Sequence, residues 1–472
     1  MEYISTRGGA PALDFRGVTL AGLAPDGGLY VPREWPRFTA EEIAAMAGLP
    51  YAELAAKIMQ PFVVGSIEPD ELLELTRAAY GRFSHEAVVP LAQLDHRNWL
   101  LELFHGPTLA FKDVALQLLG LLFERFLQGT DQHLTIVGAT SGDTGSAAID
   151  AVAGRERIDI FMLHPHGRVS EVQRRQMTGA CAANVHNIAI DGSFDDAQAM
   201  VKRMFADPAM NRRFRISAVN SINWARLMAQ VVYYFAAGVQ LGAPHRRIAF
   251  AVPTGNFGDV FAGYVAARMG LPVERLVVAT NVNDILHRAL SAGDYSIGGV
   301  TATAAPSMDI QVSSNFERLL FDAGGRDAAA LAEQMRGFEA SKAMRLSKAQ
   351  RGEIGTLFSS ARADADDTEA AMRWAHERCG QVIDPHTAIG LHAALATPLP
   401  PGVPMVTLAT AHPAKFAPAV ERAIGRDAPL PERLGDLMGC EERFDRLPGD
   451  YAAVADYIAA RAVESPPEAS AA

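Results

Sequence analysis

The clearest regularity in the chain is the alternation, from about residue 130 onwards, between short apolar runs and longer amphipathic ones. The apolar runs are rich in β-branched residues and have the length of buried strands, whereas the amphipathic ones show helical spacing. This alternation is typical of a parallel sheet covered by helices, so we predict an α/β fold. The predicted strands are HLTIVGAT (133–140), IDIFMLHP (158–165), VHNIAI (185–190), RIAFAVPTG (247–255), RLVVATN (275–281) and PMVTLAT (404–410). The predicted helices include 195–205, 221–241 and 257–270, with Ser221 capping the second and Gly270 ending the third.

The chain is expected to divide into three regions, because its 472 residues exceed what one core usually holds. Residues 1–95 are turn-rich and then helical, and we predict that they form an N-terminal domain. Two α/β domains are predicted over 96–245 and 246–472, meeting near the turn LGAPHRR. Residues 326–379 are charged and alanine-rich, which predicts a helical insert without chemistry of its own. The terminal stretch ESPPEASAA is expected to be disordered.

Composition and charge exclude several classes of protein. The formal net charge is −11 with acids and bases interspersed, which disfavours binding to nucleic acid or to anionic membranes. The three cysteines, Cys181, Cys379 and Cys440, form neither a disulfide pattern nor a CxxC metal pair. The amino terminus lacks a signal-peptide core, and no apolar run approaches the ~20 residues of a spanning helix. We therefore expect a cytoplasmic protein with no metal site.

One strand-to-helix junction, GATSGDTGSAA (138–148), is unusually rich in small and polar residues. Helix amino termini offer unpaired N–H groups, so anions bind where strands end and helices begin. Gly142 allows a tight turn, and Thr140, Ser141 and Thr144 offer hydroxyls to a carboxylate or phosphate. A tight turn without a ligand is the alternative reading of this loop.

Two further junctions have the same character. In PTGNFGDV (253–260), three residues are suited to a nest of N–H donors around a phosphate, namely Gly255, Asn256 and Gly258. In LATAHPAKF (408–416), Thr410 ends the last predicted strand. Neither GxxxxGK[ST] nor GxGxxG is present, so nucleotide and dinucleotide binding lose their main support.

The stretch LFHGPTLAFKDVALQLLG (103–120) places Lys112 between an apolar loop and a helix. Such a lysine either reaches water, paired with Asp113, or serves as a reactive amine. An amine, a phosphate nest, an anion loop and a strand-end hydroxyl are together what pyridoxal phosphate chemistry requires, with Lys112 forming the Schiff base. Thr410 would face the pyridine nitrogen. A neutral hydroxyl there suits elimination and replacement at the β and γ carbons.

The quoted motifs resemble those of the threonine synthase family, in its longer bacterial and fungal class. The similar segments are YISTRGGAPALDFRGVTLAGLAPDGGLYVP, HGPTLAFKD, ATSGDTGSAA, PTGNFGD and TAHPAKF. The resemblance implies the fold type II (tryptophan synthase β-like) architecture of two parallel-sheet α/β domains plus an N-terminal domain, and it suggests a monomer. It adds Phe257 and Asp259 of PTGNFGD to the residues expected at the cofactor. Asp143 matches an asparagine that lies near the cofactor's O3′ in shorter relatives.

The resemblance also implies an activity, the conversion of O-phospho-L-homoserine and water to L-threonine and phosphate. Lys112 is then the expected carrier of the α and β protons. The substrate phosphate needs cations and donors at helix starts, for which we choose Arg226 and Asn223 in SINWARL and Arg168 and Ser170 in HPHGRVS. Solvated arginines are the plain alternative.

Two other functions stay open at this level. A second fold type II lyase, such as a threonine or serine dehydratase, would use the same lysine and loops, but it would need no phosphate subsite. A non-catalytic relative could keep the fold as a binding module. The intact Lys112 and the three intact loops argue against the second alternative.

Overall fold

The computed structural model describes residues 1–466, so the expectation for the terminal stretch lies mostly outside the described residues. The strands are β1 (Tyr3–Ser5), β2 (Tyr30–Pro32), β3 (Leu91–Gln93), β4 (Asn98–Glu102), β5 (Leu134–Ala139), β6 (Ile158–Pro165), β7 (Val185–Asp191), β8 (Ile216–Ser217), β9 (Ile248–Pro253), β10 (Val273–Thr280), β11 (Asp294–Ser296), β12 (Ala343–Arg345), β13 (Phe358–Arg362), β14 (Met405–Ala409) and β15 (Asp445–Pro448).

The α-helices are α1 (Phe15–Ala21), α2 (Ala40–Ala44), α3 (Tyr51–Val63), α4 (Pro69–Tyr80), α5 (Lys112–Leu127), α6 (Asp143–Val152), α7 (Glu171–Thr178), α8 (Phe194–Ala206), α9 (Pro208–Phe214), α10 (Trp224–Gln240), α11 (Gly258–Arg268), α12 (Ile285–Ala292), α13 (Phe316–Ala323), α14 (Ala328–Ser341), α15 (Lys348–Gly355), α16 (Ala365–Cys379), α17 (Pro385–Ala396), α18 (Ala417–Ile424) and α19 (Tyr451–Ala459). Short 3₁₀ segments cover Pro306–Met308, Pro413–Phe416 and Glu432–Gly439. Within residues 1–466, no helix has both the length and the apolar character needed to span a membrane.

Two sheets form the body of the molecule, and the predicted α/β class is confirmed. The large sheet has the order β13-β10-β9-β14-β4-β3 and is parallel except for its edge strand β3. The small sheet has the order β15-β7-β6-β5-β8 and is parallel throughout. Strand β6 is buried along its whole length, as a strand covered on both faces should be. Each predicted strand falls on one of β5, β6, β7, β9, β10 and β14.

Strand pairing does not follow the expected domain boundaries. Strand β4 lies within the predicted second region, but it pairs with β14 in the large sheet. Strand β15, near the carboxyl end, returns to the small sheet and pairs with β7. The segment 326–379, expected to be a helical insert, contains three helices but also β12 and β13, and β13 pairs with β10. The prediction of a purely helical insert was therefore wrong, because this segment completes the edge of the large sheet.

The N-terminal region packs tightly on the body. Helix α3 lies against α10, α4 lies against α5, and one hydrophobic core runs through all of them. The fully buried Arg318 ties the region down, donating to Tyr30 O at 3.0 and 2.9 Å and to Ile222 O at 2.7 Å. Backbone carbonyls thus accept hydrogen bonds from the Arg318 guanidinium in place of a carboxylate.

Candidate active site

A cavity of about 580 Å³ lies where strands of both sheets end. The last residues of β5, β6 and β9 line it, so it occupies the position where ligands of open parallel sheets bind. All predicted site residues except Gly142, Ser170 and Asn223 line this cavity. Those that line it are Lys112, Thr140, Ser141, Asp143, Thr144, Arg168, Arg226, Gly255, Asn256, Phe257, Gly258, Asp259 and Thr410.

Lys112 is the first residue of α5 and is only 8% exposed. Its Nζ lies 4.6 Å from the centre of the Phe111 ring and 3.2 Å from Asp143 Oδ2. Asp113 instead accepts from the N–H and hydroxyl of Thr108 at 2.8 and 2.7 Å, which excludes the surface-pair alternative. Burial lowers the pKa of the Lys112 amine, although the carboxylate of Asp143 opposes this effect. The arrangement therefore presents an amine that gives up its proton more readily than a free lysine.

Asp143 lies between two lysines. Besides its contact with Lys112, its Oδ1 is 2.7 Å from Lys415 Nζ, and Lys415 also donates to Thr108 O at 2.7 Å. Burial opposes ionisation of Asp143, but its lysine neighbours, with the charge of Lys415 as the largest lowering effect, hold the pKa of this carboxyl well below its usual range. Asp143 is therefore a carboxylate at every physiological pH.

A third group fixes Asp143 and explains two of the residues outside the cavity lining. Gln173 Nε2 donates to Asp143 Oδ1 at 2.8 Å. Ser170 caps α7 and donates to Gln173 Oε1 at 2.8 Å, so its hydroxyl is used one step behind the site. Gly142, with φ +142°, passes so close to Gln173 that an added Cβ would lie 2.4 Å from it. A residue with a side chain would therefore collide with Gln173 at this position.

The loop before α6 presents free hydroxyls to the cavity. Thr140 Oγ1 accepts from the N–H groups of Gly142 and Gly145 at 3.0 and 2.9 Å, which fixes the turn. The hydroxyls of Ser141 and Thr144 line the cavity and make no hydrogen bond within the described residues. This loop therefore combines a helix amino terminus with two unused donors, which suits a carboxylate.

The loop before α11 is a second anion cradle. Phe257 adopts φ +64°, and a Cβ at Gly255 would lie 2.6 Å from the carbonyl of Ser307. Ser313 Oγ donates to Gly255 O at 2.6 Å, and Asn315 donates to Asn256 O, which turns the loop carbonyls away from the cavity. The backbone N–H groups of residues 256–259 find no acceptor in the described part of the chain. Such a row of unused donors fits a phosphate.

Asp259 brings a second carboxyl to the cavity. Its Oδ1 accepts from the hydroxyls of Tyr233 and Tyr234, the second at 3.1 Å, while its Oδ2 is buried without a partner. Burial raises the pKa of Asp259 to about 6, although the two tyrosine hydrogen bonds act against that rise. Asp259 therefore takes up a proton more readily than an ordinary aspartate.

Arg226 is a buried cation that has no anionic partner among residues 1–466. It is 3% exposed, donates from Nη1 to Val219 O at 2.8 Å, and leaves its Nε without a partner. Burial lowers the pKa of its guanidinium to about 10, and no carboxylate contributes to that shift. Such a group fits an anionic ligand, because a buried charge is costly unless it is paired.

The neighbours predicted to share this role differ from Arg226. Asn223 is the cap of α10, donating to Thr19 O at 2.9 Å and accepting from Ala225 N–H at 3.0 Å, so its amide is occupied. The cap of α10 is therefore Asn223 and not Ser221, the residue predicted from the sequence. Arg168 lines the cavity but is exposed at its mouth.

Thr410 follows β14 and joins two parts of the site. Its N–H donates to Thr387 Oγ1 at 3.3 Å, and its carbonyl accepts from Phe111 N–H at 2.9 Å. Its hydroxyl makes no hydrogen bond to any residue that the structure describes, and the residue lines the cavity. A free hydroxyl at this strand end can bind a ring nitrogen.

Sequence reasoning missed several residues of the site. Lys415 belongs to the quoted TAHPAKF motif, yet nothing in the motif reveals that its partner is Asp143. Tyr233 belongs to an apolar stripe that predicts core, and only its hydroxyl contact reveals the second role. His386 lines the cavity with Nδ1 2.8 Å from Asp384. Across the described part of the chain, no cluster of His, Cys, Asp or Glu could hold a metal ion.

Family models match most of the chain. The model described as "Threonine synthase N terminus" matches residues 2–80, "Pyridoxal-phosphate dependent enzyme" matches 84–350, and "Threonine synthase, C-terminal" matches 387–458.

Curated relatives and solved structures agree with these matches. The threonine synthase of Pseudomonas aeruginosa is 55% identical over 97% of this chain and 98% of its own length. That of Corynebacterium glutamicum is 43% identical over 97% of this chain and 98% of its own. The crystal structure of a pyridoxal phosphate-bound threonine synthase from Brucella melitensis superimposes with a TM-score of 0.95 and 52% identity, covering 98% of this chain and 99% of that one. The yeast threonine synthase structure gives a TM-score of 0.92 and 37% identity, covering 98% of each chain.

Proposed function

This chain belongs to the threonine synthase family of pyridoxal phosphate-dependent enzymes, and from that premise we propose that its cavity converts O-phospho-L-homoserine and water to L-threonine and phosphate. The observation that carries the proposal is Arg226, a buried guanidinium that forms no ion pair with the described residues and lines the same cavity as the Lys112 amine. A phosphorylated substrate supplies the missing anion. A dehydratase that acts on free serine or threonine has no use for this cation.

The residues of the cavity fit the cofactor. The unused N–H groups of residues 256–259 suit its 5′-phosphate, the Lys112 amine suits its aldehyde, and the free Thr410 hydroxyl suits its ring nitrogen. When bound, pyridoxal phosphate supplies an aldehyde for covalent attachment and an electron-withdrawing ring for the chemistry at the substrate carbons. Asp143 and Asp259 complete the set of polar groups expected around it.

The substrate would be held at both of its charged ends. Its carboxylate fits the amino terminus of α6, where Ser141 and Thr144 offer free hydroxyls. Its phosphate fits Arg226, with Arg168 adding positive charge at the mouth of the cavity. Asn223 and Ser170 support the ends of α10 and α7 and are not proposed as ligands.

Lys112 is our candidate for proton transfer. Its Nζ is buried, borders the cavity and has a lowered pKa, so it gives up a proton and takes it back more readily than a free lysine. Its position 3.2 Å from a permanently charged Asp143 keeps the amine pointed into the site.

We further propose that the enzyme works in the cytoplasm as a monomer. Its three cysteines are all free thiols, which supports a reducing compartment. The monomer rests on the resemblance to the longer class alone. Light scattering of the purified protein would test it.

The activity is tested by incubating the purified protein with O-phospho-L-homoserine. We expect threonine and phosphate in equal amounts, and no product from unphosphorylated homoserine. Release of 2-oxobutanoate from threonine at a comparable rate would favour the dehydratase, and phosphate without threonine would contradict the water-addition step.

A further inference from the structure

A buried triad of Lys415, Asp143 and Lys112 crosses the floor of the cavity. The carboxylate of Asp143 contacts Lys415 Nζ at 2.7 Å on one oxygen and Lys112 Nζ at 3.2 Å on the other. We infer that Lys415 is a positioning residue that holds the countercharge of Asp143, so that Lys112 stands beside it as a neutral amine ready to attach the cofactor. This inference rests on the proposed role of Lys112.

The geometry assigns the positive charge to Lys415. This lysine is closer to the carboxylate, its side chain is fully buried, and it has a second acceptor in Thr108 O at 2.7 Å. Lys112 has the longer contact, borders the cavity and donates to no described residue other than Asp143. Of two amines that compete for one carboxylate, the better solvated by protein acceptors keeps its proton. The negative charge of Asp143 is then balanced by the ammonium of Lys415, so Lys112 need not be protonated.

Without Lys415 the balance would change. Asp143 would remain buried with Lys112 as its remaining lysine, and the two would form an ammonium–carboxylate pair. An ammonium has no lone pair, so it cannot attack. Attachment would need the neutral Nζ to add to the aldehyde carbon and both of its protons to pass in turn to the aldehyde oxygen, which would leave as water as the C=N bond formed.

Other charged groups face the triad from neighbouring elements. Arg226 on α10 acts in the same direction as Lys415, because its positive charge also disfavours an ammonium at Lys112. Asp259 on α11 acts in the opposite direction, but its charge is weakly held. His386 on α17 helps to lower the pKa of Asp143. Lys415 also acts on Asp113 of α5, where its charge lowers the pKa of that carboxyl. These groups are common to all variants below.

The experiment measures the rate at which cofactor-free, full-length protein attaches pyridoxal phosphate between pH 6 and 10. Attachment is followed by the visible absorbance band, and its site is checked by borohydride reduction and peptide mass. In Lys415→Met we expect the midpoint of the rate profile to rise by at least about one pH unit, which slows attachment near pH 7 about tenfold. In Asp143→Asn we expect the midpoint to fall, because two lysines then face each other without a carboxylate.

The double variant Lys415→Met with Asp143→Asn restores the charge balance, and we expect its midpoint to return close to that of the wild type. Gln173→Met is the matched control, since it removes a hydrogen bond to the same oxygen of Asp143 without changing any charge. Its midpoint should stay in place. Heat unfolding of each variant checks the fold, and comparing the double variant with Asp143→Asn tests Lys415 even if Lys415→Met alone does not fold.

The outcomes separate this inference from the proposed function. If the wild type attaches the cofactor at Lys112 but neither Lys415→Met nor Asp143→Asn moves the midpoint, Lys415 is structural and the inference fails alone. If the wild type does not attach the cofactor at Lys112, the proposed role of that lysine fails as well.

Discussion

The cavity contains two buried carboxyl groups, Asp143 and Asp259, and the protein surrounds them in opposite ways. Asp143 lies between the Nζ atoms of two lysines, and the charge of Lys415 is the largest of the effects that overcome the cost of burial and hold its pKa well below the usual range. Asp259 accepts from two tyrosine hydroxyls and faces the cavity with an unpartnered oxygen, and burial raises its pKa to about 6. The charge of Asp143 is therefore balanced by a lysine of the protein, whereas the charge of Asp259 has no cation within ion-pair distance among the described residues.

This difference indicates what each side is for. The Asp143 side can hold an amine in a defined state, because its charges are already paired before any ligand arrives. Arg226, which has no anionic partner among the described residues, and the free N–H groups of residues 256–259 gain most from an anion. Arg318 shows that a buried arginine need not be reserved for a ligand, since backbone carbonyls occupy its donors.

The largest effect is expected from Lys112→Ala, which removes the amine from the balanced side. Covalent attachment of the cofactor and turnover should both be lost, because no other described lysine borders the cavity. The fold should persist, since Asp143 keeps Lys415 as its partner. Absorbance and product assays measure the first effect and heat unfolding the second. Full activity in this variant would contradict the mechanism.

Asp259→Asn tests the unbalanced side through pH. The raised pKa of Asp259, from 3.8 to about 6, means that its contribution to stability is present below about pH 4 and is lost as pH rises through 6. Over that range the wild type should lose on the order of 3 kcal/mol that the variant does not lose. Chemical unfolding of the cofactor-free protein at pH 4 and 8 measures the difference. A constant difference between the two proteins would show that Asp259 ionises normally.

Arg226→Met tests whether the unpaired cation is kept for the substrate phosphate. Loss of a charge-assisted contact costs roughly 1.5 to 3 kcal/mol, so kcat/KM for O-phospho-L-homoserine should fall about ten- to a hundredfold. Arg226→Lys should recover part of this, because an ammonium lacks the planar fork. The unfolding temperature of the cofactor-free methionine variant should not fall, since a buried unpaired charge is removed. Unchanged kinetics would move the phosphate subsite towards Arg168.

The sequence predicted three strands of each of the two sheets and 13 of the residues that line the cavity, because each of these signals is local. Strand β6 and the loop before α11 are readable from hydrophobic runs and from glycine-rich junctions. Strands β13 and β15 were not predicted, since a short strand at a sheet edge is specified by a partner far away in the chain.

The same reason explains which contacts of the site the sequence did not show. Asn223 and Ser170 occur at helix starts, where a ligand and a helix cap call for the same residue types, and only the contacts distinguish the two roles. Lys415 and Asp143 form an ion pair although they lie far apart in the sequence. Charge pairing of this kind depends on the three-dimensional arrangement, and a motif shows one partner at a time.

The smallest effect is expected at Thr410, an uncharged residue that the balance of neither side depends on. Its backbone joins β14 to the start of α5, while its hydroxyl is free to bind the ring nitrogen of the cofactor. Thr410→Val keeps the shape and removes one hydrogen bond, which is worth about 1 kcal/mol, so the turnover rate should fall roughly fivefold. Thr410→Ser keeps the hydroxyl and serves as the matched control, with a rate close to that of the wild type. Steady-state kinetics measure both, and heat unfolding should be unchanged. If the valine and serine variants are equally active, the hydroxyl does not face the ring nitrogen, and the backbone contacts of Thr410 are its contribution to the site.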